Sequence, residues 1–366
     1  MNGDIKRRDA AHSIIGACRQ GLAPDALRTR ILPLLMRAVP ADAVWWATAD
    51  PATLLFTGTY QEEIPAKTKP YFVQNEFLAD DVNKWTDVAR DEDGVRTLVQ
   101  ATGGELSRSA RYSEVFEPLG FGDELRAVFR VNGASWGLVC LHREGRRAFS
   151  RQDVLFMKSI SPHVALGLRA GLVGATLDEP HGRTGPGVVL LSSDLAVTGW
   201  NQAADRWLDE LGYDRGPDAP LPTEILAVAA RLGDGSDAGL PRLRVRTRAG
   251  RWAVLHASRL PSREGDAIAV IIDGASGAEV ASIIMLAYGL SPQERTITGL
   301  VCRGISTIGI ASDMGISANT VQDHLKSVFD KIGVRSRREL VVQILRDHYV
   351  PHAQAGRPIG PSGYFS

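Results

Sequence analysis

Hydrophobic and polar positions divide the chain into three blocks with different periodicities. In the first block, apolar residues recur at helical spacing over 25–39, and β-rich segments follow at 44–48 and 54–60. Two further strand segments flank Asn132-Gly133, a dipeptide that favours a hairpin. Ser150 and Asp153 have the spacing of a capping box and predict the start of a long helix. Residues 62–119 show only mixed helix and loop signals.

The second block, 187–274, begins with two short strands around a turn at Ser193-Asp194. Asn201 has the position and type of an N-cap, and it predicts a helix that a second helix at 222–232 follows. Three strand segments close the block. They are predicted at 242–248, 251–260 and 267–273.

The third block, 290–345, predicts four short helices. Ser291-Pro292-Gln293-Glu294 is a complete helix start, and Gly304 ends this helix. Ser306–Met314 forms the second helix, in which we expect Ile308, Ile310 and Ala311 to pack inward. Gly315 makes the turn, Ser317 caps a third helix that Gly333 stops, and Ser336 to Glu339 form another capping box.

The third helix of this block has two different faces. At 3.6 residues per turn, its apolar residues share one face, which we expect to pack on the other helices: Val321, Leu325, Val328, Phe329 and Ile332. Four polar residues share the opposite face, called here the outer face: Asn319, Gln322, Asp323 and Lys326. Thr320, His324, Ser327 and Lys331 lie on the flank. Such side chains can contact base edges and phosphates in a DNA major groove.

Charge supports DNA binding only locally. Lys+Arg and Asp+Glu both number 42, so the chain as a whole gives no sign of nucleic acid. Between Met314 and Arg346, however, basic residues exceed acidic ones. The basic residues are Lys326, Lys331, Arg335, Arg337, Arg338 and Arg346, against Asp323, Asp330 and Glu339. Arg335, Arg337 and the amide end of the fourth helix could hold phosphate.

The third block resembles the LuxR-type (NarL/FixJ) helix-turn-helix. The matching residues are Leu290-Ser291-Pro292, Glu294-Arg295, Gly304, Ile310-Ala311, Ile316-Ser317, Thr320-Val321, His324-Leu325, Lys331 and Gly333-Val334-Arg335-Ser336-Arg337. The resemblance implies base contacts by Gln322, Asp323 and Lys326, and backbone contacts by Thr320, His324, Lys331 and Arg335. With the helix start and flank, the predicted DNA-binding set is Ser317, Asn319, Thr320, Gln322, Asp323, His324, Lys326, Lys331, Arg335 and Arg337.

This block departs from the family at position 322, which is often basic and is Gln here. The departure implies weaker nonspecific affinity and a different target sequence. A helical bundle that binds only protein is the alternative interpretation, but it does not account for the combined pattern. For His324 alone, a buried structural role explains the residue as well as a phosphate contact does.

The first two blocks resemble sensor modules. The element order of the first block, with Trp136-Gly137 on a strand, resembles a GAF domain, and the second resembles a PAS domain around Asn201 and its helix. The expected fold is therefore multidomain α+β: a GAF-like α/β sensor, a PAS-like α/β module and an all-α four-helix helix-turn-helix. The expected segments are 1–173 (GAF-like), 187–274 (PAS-like), 275–289 (linker helix), 290–349 (helix-turn-helix) and 350–366 (flexible tail), with a Gly- and Pro-rich linker at 174–187.

Sequence motifs give no sign of catalysis. No nucleophile elbow, P-loop, zinc spacing or dinucleotide fingerprint occurs, so we expect no enzyme, catalytic residue, metal or cofactor. The three cysteines, Cys18, Cys140 and Cys302, are far apart, which suits a reducing cytoplasm. No apolar segment follows the basic start, and the apolar stretch from Val280 is too short for a bilayer, so neither a signal peptide nor a membrane partner is expected.

A few residues of the first block are open to more than one interpretation. Trp45 and Trp136 are candidate ligand contacts, with plain core as the alternative, and Trp45 and Trp46 must point to opposite faces of their strand. Cys140 is interpreted as a buried apolar residue, with a redox sensor as the alternative.

The sequence as a whole predicts a cytoplasmic, one-component transcription regulator. The expected partners are double-stranded DNA, a second copy of the chain, a small-molecule effector and RNA polymerase. The apolar residues of the helix at 278–287 are expected to couple sensor to DNA-binding domain and could form the dimer seam. The alternative is a sensor or adaptor that acts through protein contacts. A ligand-binding protein with enzymatic activity in its first block is disfavoured, because no catalytic constellation is present.

Overall fold

The structure is a computed structural model that describes residues 2–145, 147–174, 185–214, 219–233, 241–261, 267–275 and 277–346. Most of the predicted linker at 174–187 and the predicted tail at 350–366 lie outside the described residues. The chain forms two compact units. Residues 1–171 and 184–274 form the first unit, and residues 172–183 and 275–366 form the second.

The first half of the first unit is built on a five-stranded antiparallel sheet with strand order β2-β1-β5-β4-β3. Its elements are α1 (Asn2–Cys18), α2 (Pro24–Ala38), β1 (Ala43–Ala49), β2 (Phe56–Glu62), α3 (Lys69–Phe77), α4 (Trp85–Arg90), β3 (Val95–Thr97), α5 (Leu98–Thr102), β4 (Phe121–Val131), β5 (Ala134–Glu144) and α6 (Arg151–Gly174). A short π-helical segment, Tyr112–Phe116, precedes β4.

Two local predictions for this half are confirmed. Val131 pairs with Ala134 across a tight turn in which Asn132 and Gly133 have φ of 51° and 76°, as the predicted hairpin requires. At the start of α6, the Asp153 amide donates to Ser150 Oγ over 3.2 Å and the Ser150 amide donates to Asp153 Oδ2 over 2.8 Å. This is the capping box that the spacing predicts.

The second half of the first unit contains another five-stranded antiparallel sheet, with strand order β7-β6-β10-β9-β8. Its elements are β6 (Gly187–Leu191), β7 (Val197–Trp200), α7 (Gln202–Glu210), α8 (Thr223–Ala230), β8 (Arg242–Arg246), β9 (Trp252–Leu260) and β10 (Ala267–Gly274). Asn201 caps α7 by accepting from the Ala204 amide over 2.9 Å, as predicted. Both sheets have the same connectivity, although the sequence shows no repeat with a fixed period.

The two halves share one hydrophobic core. All eight residues of α8 are buried, and they pack against β2 and α3 of the first half as well as against the second sheet. Polar contacts reinforce the junction: Arg244 pairs with Asp50 at 2.7 Å, and the hydroxyls of Thr59 and Thr223 lie 3.3 Å apart. The predicted GAF-like and PAS-like segments therefore fold together as one compact unit. Their assignment to those two families stays a prediction.

The second unit is helical in its described part. It contains α9 (Gly277–Ala287), α10 (Pro292–Cys302), α11 (Thr307–Met314), α12 (Ala318–Ile332) and α13 (Arg337–Arg346). Its core contains the predicted inward residues of α10, α12 and α13, among them Ile297, Val321, Leu325 and Leu340. The fold of the whole chain is thus mixed, with two antiparallel sheets followed by C-terminal helices.

On α9, Val280, Ile283, Ile284 and Ala287 are at most 9% exposed, whereas Ala281, Met285 and Leu286 are half-buried. The dimer seam expected on this helix stays a prediction. None of the described helices combines the length and apolar character that crossing a bilayer requires.

Candidate nucleic-acid interface and ligand cavity

The start of α10 shows the predicted cap and an additional contact. Ser291 accepts from the Glu294 amide over 3.3 Å, and the Glu294 carboxylate accepts from the Ser291 amide over 2.6 Å. The same carboxylate accepts from Lys331 Nζ over 2.6 Å and from Ser327 Oγ over 2.7 Å, so it joins α10 to α12. Burial alone would raise the pKa of Glu294, but the hydrogen bonds from Lys331, the Ser291 amide and Ser327 outweigh burial and lower it to about 2.

The short helix α11 corrects one expectation about packing. Ser306 caps the helix by accepting from the Gly309 amide over 3.1 Å, and Ile310 is fully buried. Ile308, predicted to pack inward, is instead 77% exposed. It lies in the first turn of an eight-residue helix, where one side faces α12 and the other faces solvent. A helix this short has too few turns to bury a wide apolar stripe.

Helix α12 has the two faces that its sequence predicts. Ser317 accepts from the Thr320 amide over 3.0 Å, and Gly333, with φ of 79°, ends the helix. Val321, Leu325, Val328 and Ile332 are buried, and Phe329 is half-buried. All four residues of the outer face are exposed: Asn319, Gln322, Asp323 and Lys326. On this face, Gln322 Nε2 also reaches Thr307 Oγ1 of α11, at 3.4 Å.

The predicted phosphate-contacting residues have different surroundings. Arg335 is exposed, whereas the Lys331 ammonium, 37% exposed, pairs with Glu294. The Arg337 guanidinium donates to the Ile305 carbonyl oxygen and so links α13 to the loop after α10. Thr320 and His324 are half-buried, and the Thr320 hydroxyl lies 2.8 Å from that of Ser317. Lys331 and Arg337 thus bond to residues 37 and 32 positions away in the chain, and sequence spacing could not indicate these contacts.

The start of α13 differs from the predicted capping box in one bond. Ser336 accepts from the Glu339 amide over 3.1 Å, as expected. The Glu339 carboxylate accepts from the Arg335 amide over 2.9 Å, one residue before the amide that a full box would use. This bond holds the backbone next to the exposed Arg335 side chain. DNA contact by the ten predicted residues stays a prediction.

A second site lies in the first unit around Cys140, which is fully buried in the hydrophobic core, as interpreted from the sequence, and also contacts polar side chains. Cys140 and His142 of β5 pair with Arg126 and Glu124 of β4, and alternate residues bring all four to one face of the sheet. Cys140 Sγ lies 3.1 Å from Glu124 Oε1 and 3.3 Å from His142 Nε2. Burial, strengthened by Glu124, raises the pKa of the Cys140 thiol well above its usual range. A neutral, buried thiol disfavours the redox-sensor alternative.

Arginines and carboxylates surround this thiol. Arg111 pairs with Glu124 at 2.9 Å, and Arg126 pairs with Glu76 at 2.7 Å and with Glu124 at 3.0 Å. Asp81 lies 3.7 Å from Arg111. Three carboxylates thus face two guanidinium groups, all deeply buried.

Glu124, Cys140 and His142 each offer one potential metal-ligand atom, and these atoms lie within 4.8 Å of one another. The residues nevertheless fit a cation poorly. Both oxygens of Glu124 already bind guanidinium groups, whose positive charge would repel the metal, and Cys140 holds its proton tightly. We therefore assign no metal to this cluster.

A cavity adjoins the cluster. The space inside it is about 20 Å³, room for about one water molecule. Aromatic side chains line it together with polar ones, among them Trp45, Phe72, Phe116, Arg111, His142 and Thr223. Trp45 lines this cavity, while Trp136 is buried and does not line it, and ligand contact by either residue stays a prediction. The position of Arg111 and Glu76 was missed, because they come from the segment 62–119, which shows no clear periodicity.

Comparison with known proteins identifies the helical unit. The family model for bacterial regulatory proteins of the luxR family matches residues 288–344. The spore germination protein GerE of Bacillus subtilis is 37% identical over 57 residues, which cover 77% of GerE and 16% of this chain. The chain belongs to the LuxR family of bacterial regulatory proteins. As the resemblance implied, the C-terminal helices form a helix-turn-helix of this family.

Other similarities are more partial. SgaR of Hyphomicrobium methylovorum, named a probable transcriptional regulatory protein, is 29% identical to this LuxR-family chain over 99 residues, which cover 26% of the chain and 47% of SgaR. The chain thus spans about half the length of that relative. A structure of the Vibrio cholerae VqmA dimer, described as a LuxR-type receptor, shares 17% identity over 44% of this chain and 82% of VqmA, with a TM-score of 0.20. A TM-score this low carries no argument about the N-terminal fold.

Proposed function

We propose that this LuxR-family chain is a one-component, sequence-specific regulator whose first unit senses a small molecule and whose second unit binds double-stranded DNA. The outer face of α12 supports the second part most strongly. Helix α12 is capped and has a buried apolar face, and the four polar side chains of its outer face lie within the residues that the family model matches.

Three of those side chains suit direct contact with bases. Lys326 can donate to guanine, Gln322 can pair with adenine, and Asp323 can accept from cytosine. Arg335 supplies an exposed cation beside the start of α13, where it can contact phosphate. Asp323 repels phosphate and so lowers the affinity for every DNA sequence. Specific base contacts then contribute a larger share of the discrimination.

DNA binding is tested by fluorescence anisotropy with labelled genomic fragments at increasing salt. We expect affinity to fall steeply with salt for all fragments, because phosphate contacts release counterions, and a subset of fragments to bind more tightly at each salt concentration. Binding that is absent, or independent of salt, would refute the proposal.

The alternative function, a sensor or adaptor with weak DNA binding, has one observation in its favour. Lys331 and Arg337 are both engaged within the chain, by Glu294 and by the Ile305 carbonyl, which reduces the cationic surface available to phosphate. The salt titration also decides between these functions, because an adaptor would show no preferred fragment.

We further propose that the regulator binds DNA as a homodimer. Helix-turn-helix pairs contact half-sites about one helical turn, roughly 34 Å, apart on the duplex. Light scattering of the free protein and of its complex with a preferred fragment measures the stoichiometry, and one chain per duplex would contradict the dimer. RNA polymerase remains the expected downstream partner of the DNA-bound form.

A further inference from the structure

Thr307 of α11 contacts one of the side chains that are proposed to meet DNA bases. Its Oγ1 lies 3.4 Å from Nε2 of Gln322, on the outer face of α12. We propose that Thr307 is a positioning residue for Gln322, and that their contact makes the second unit select adenine over guanine at the base pair that Gln322 meets. The inference rests on the proposed DNA-binding function and names what sets its specificity at one position.

The backbone on either side of Thr307 is held by two contacts. Ser306 caps α11 by accepting from the Gly309 amide over 3.1 Å. The Ile305 carbonyl oxygen accepts from the Arg337 guanidinium of α13. Thr307 is the first residue of α11, and the two heavy atoms on its Cβ restrict χ1. Its hydroxyl therefore has a defined position beside α12.

The helix that carries Gln322 is held as well. Val321, the residue before it, is fully buried, and Leu325, three residues after it, is 3% exposed. Both pack in the same core as Ile310 of α11, which sets the rotation of each helix about its axis. Gln322 itself is exposed, and Thr307 is half-buried. The core thus directs the Gln322 side chain outward next to the start of α11.

The contact between Thr307 and Gln322 acts on direction more than on stability. It is exposed, and 3.4 Å is longer than the usual N–H···O separation of roughly 2.9–3.0 Å, so it contributes little to folding. A glutamine side chain, however, has many rotamers, and fixing one of them on DNA costs free energy. Thr307 favours one amide orientation before DNA binds and so lowers this cost.

The same contact determines which groups Gln322 presents to a base. A glutamine amide has two N–H donors on Nε2 and an acceptor, Oε1. Thr307 Oγ1 accepts one of the two hydrogens, so one donor and one acceptor remain for the major groove. Adenine presents the acceptor N7 beside the donor N6–H and matches this pair, whereas guanine presents two acceptors, N7 and O6. One acceptor of guanine would then face Oε1 and be repelled.

The hydroxyl of Thr307 can accept from Gln322 and donate elsewhere at the same time, because it has one hydrogen and two lone pairs. In a helix-turn-helix, the helix before the recognition helix crosses the phosphate backbone. Phosphate oxygens only accept, so a phosphate beside Thr307 would take the hydroxyl hydrogen and leave Oγ1 to accept from Gln322. DNA binding would therefore strengthen the amide orientation that the structure shows.

The test measures the base preference of the full chain by fluorescence anisotropy, on single-base variants of a preferred genomic fragment. Gln322→Ala first identifies the base pair that Gln322 meets, as the position where the preference changes most. We expect the unchanged chain to bind adenine there about 10-fold more tightly than guanine. Thr307→Val keeps the side-chain shape without the hydroxyl. It should reduce this ratio about 5-fold, because it releases the second amide hydrogen of Gln322 to guanine.

Further variants separate positioning from a structural role. Thr307→Ser keeps the hydroxyl and should restore the ratio, whereas Thr307→Ala removes it without a branched side chain and should act like Thr307→Val. Thr296→Val is the matched control, because Thr296 is an exposed threonine whose hydroxyl bonds within its own helix, α10. It should leave the ratio unchanged. Combined with Gln322→Ala, Thr307→Val should have no further effect at this base pair, because it acts only through Gln322.

Three outcomes would overturn the inference. A preference for a base other than adenine at the Gln322 position would refute the presented donor and acceptor. An adenine-to-guanine ratio that Thr307→Val and Thr307→Ala leave unchanged would show that the contact does not set it. An equal fall of the ratio in the Gln322→Ala background would show that Thr307 acts by another route. Failure of the proposed regulator differs from all three, because the unchanged chain would then prefer no fragment.

Discussion

Lys331, in the last turn of α12, donates to the carboxylate of Glu294, in the first turn of α10, with Nζ 2.6 Å from Oε2. Glu294 simultaneously closes the cap of its own helix. A single carboxylate thus holds the start of one helix and fastens it to the helix whose outer face is proposed to contact DNA. The orientation of α12 depends in part on this charge.

The charge state of Glu294 should make the stability of the second unit depend on pH. Its pKa is lowered from 4.5 to about 2 on folding, so its contribution is present above pH 4.5 and is lost as the pH falls towards 2. Glu294→Gln should cost about 1 kcal/mol at pH 7, since Lys331 is partly screened by solvent. The difference in unfolding free energy between this variant and the unchanged chain should become smaller as the pH falls towards 2.

The seven tryptophans, all between Trp45 and Trp252, make the measurement selective. The second unit has no tryptophan among its described residues. When this unit unfolds, the far-ultraviolet circular dichroism signal therefore changes while tryptophan fluorescence does not, and that change measures its stability. Ser282→Ala, at an exposed position on α9, serves as the control. A Glu294→Gln cost that stays constant from pH 7 to pH 2 would contradict the proposed role of the charge.

Ile308 and Ile310 should respond in opposite ways to the same substitution. Ile310 is fully buried, so Ile310→Ala should lower the free energy of unfolding by about 2–5 kcal/mol. Ile308 is 77% exposed, so Ile308→Ala should change it by no more than about 0.5 kcal/mol. Circular dichroism melts of the two variants compare them directly. Equal losses would mean that α11 is rotated about its axis.

Lys326 and Arg335 should separate base contact from phosphate contact. Lys326→Ala should change the preference at one base pair by about 1–3 kcal/mol, whereas Arg335→Ala should weaken all sequences alike and reduce the salt slope by about 1. Binding is measured on a set of single-base variants of a preferred fragment. Lys67→Ala, an exposed lysine of the first unit, is the matched control. A uniform loss in Lys326→Ala would show that the outer face of α12 does not contact bases.

Asp50 should hold the two halves of the first unit together. It is 1% exposed and pairs with Arg244 at 2.7 Å, so Asp50→Ala leaves a largely buried guanidinium without this partner and should cost about 3 kcal/mol. Because the halves share one core, the tryptophan transition should remain single and shift to lower denaturant. Glu105→Ala, an exposed carboxylate of the first unit, is the control. Two separate transitions in the unchanged chain would contradict a shared core.

The sequence predicted the second unit well because its signals are local. Caps at Ser291 and Ser317 and a 3.6-residue period on α12 depend only on neighbouring residues, and the structure places these residues as expected. The contact between Glu294 and Lys331 joins residues 37 positions apart, and no local pattern contains it. Ile308 was misplaced because periodicity indicates which residues share a face but not whether a neighbouring helix covers it.

The first unit was predicted less completely for a similar reason. The hairpin at Asn132-Gly133 defines the register that sets Glu124 opposite His142 and Arg126 opposite Cys140. The alternating polar residues were thus visible in the sequence, but their burial depends on partners from 62–119, where the sequence shows no period. Even with the strands predicted, the surroundings of Cys140 could not be derived.

The helix α8 has no side that faces water, and this limits how the gene can be shortened. A chain ending near residue 173 would lack α8 and would expose the apolar surfaces of β2 and α3 that it covers. A chain beginning near residue 187 would leave Ile225, Leu226 and Val228 uncovered on one side. Either fragment would expose an apolar surface and aggregate. The shortest N-terminal fragment that stays soluble therefore runs from the first helix to Gly274.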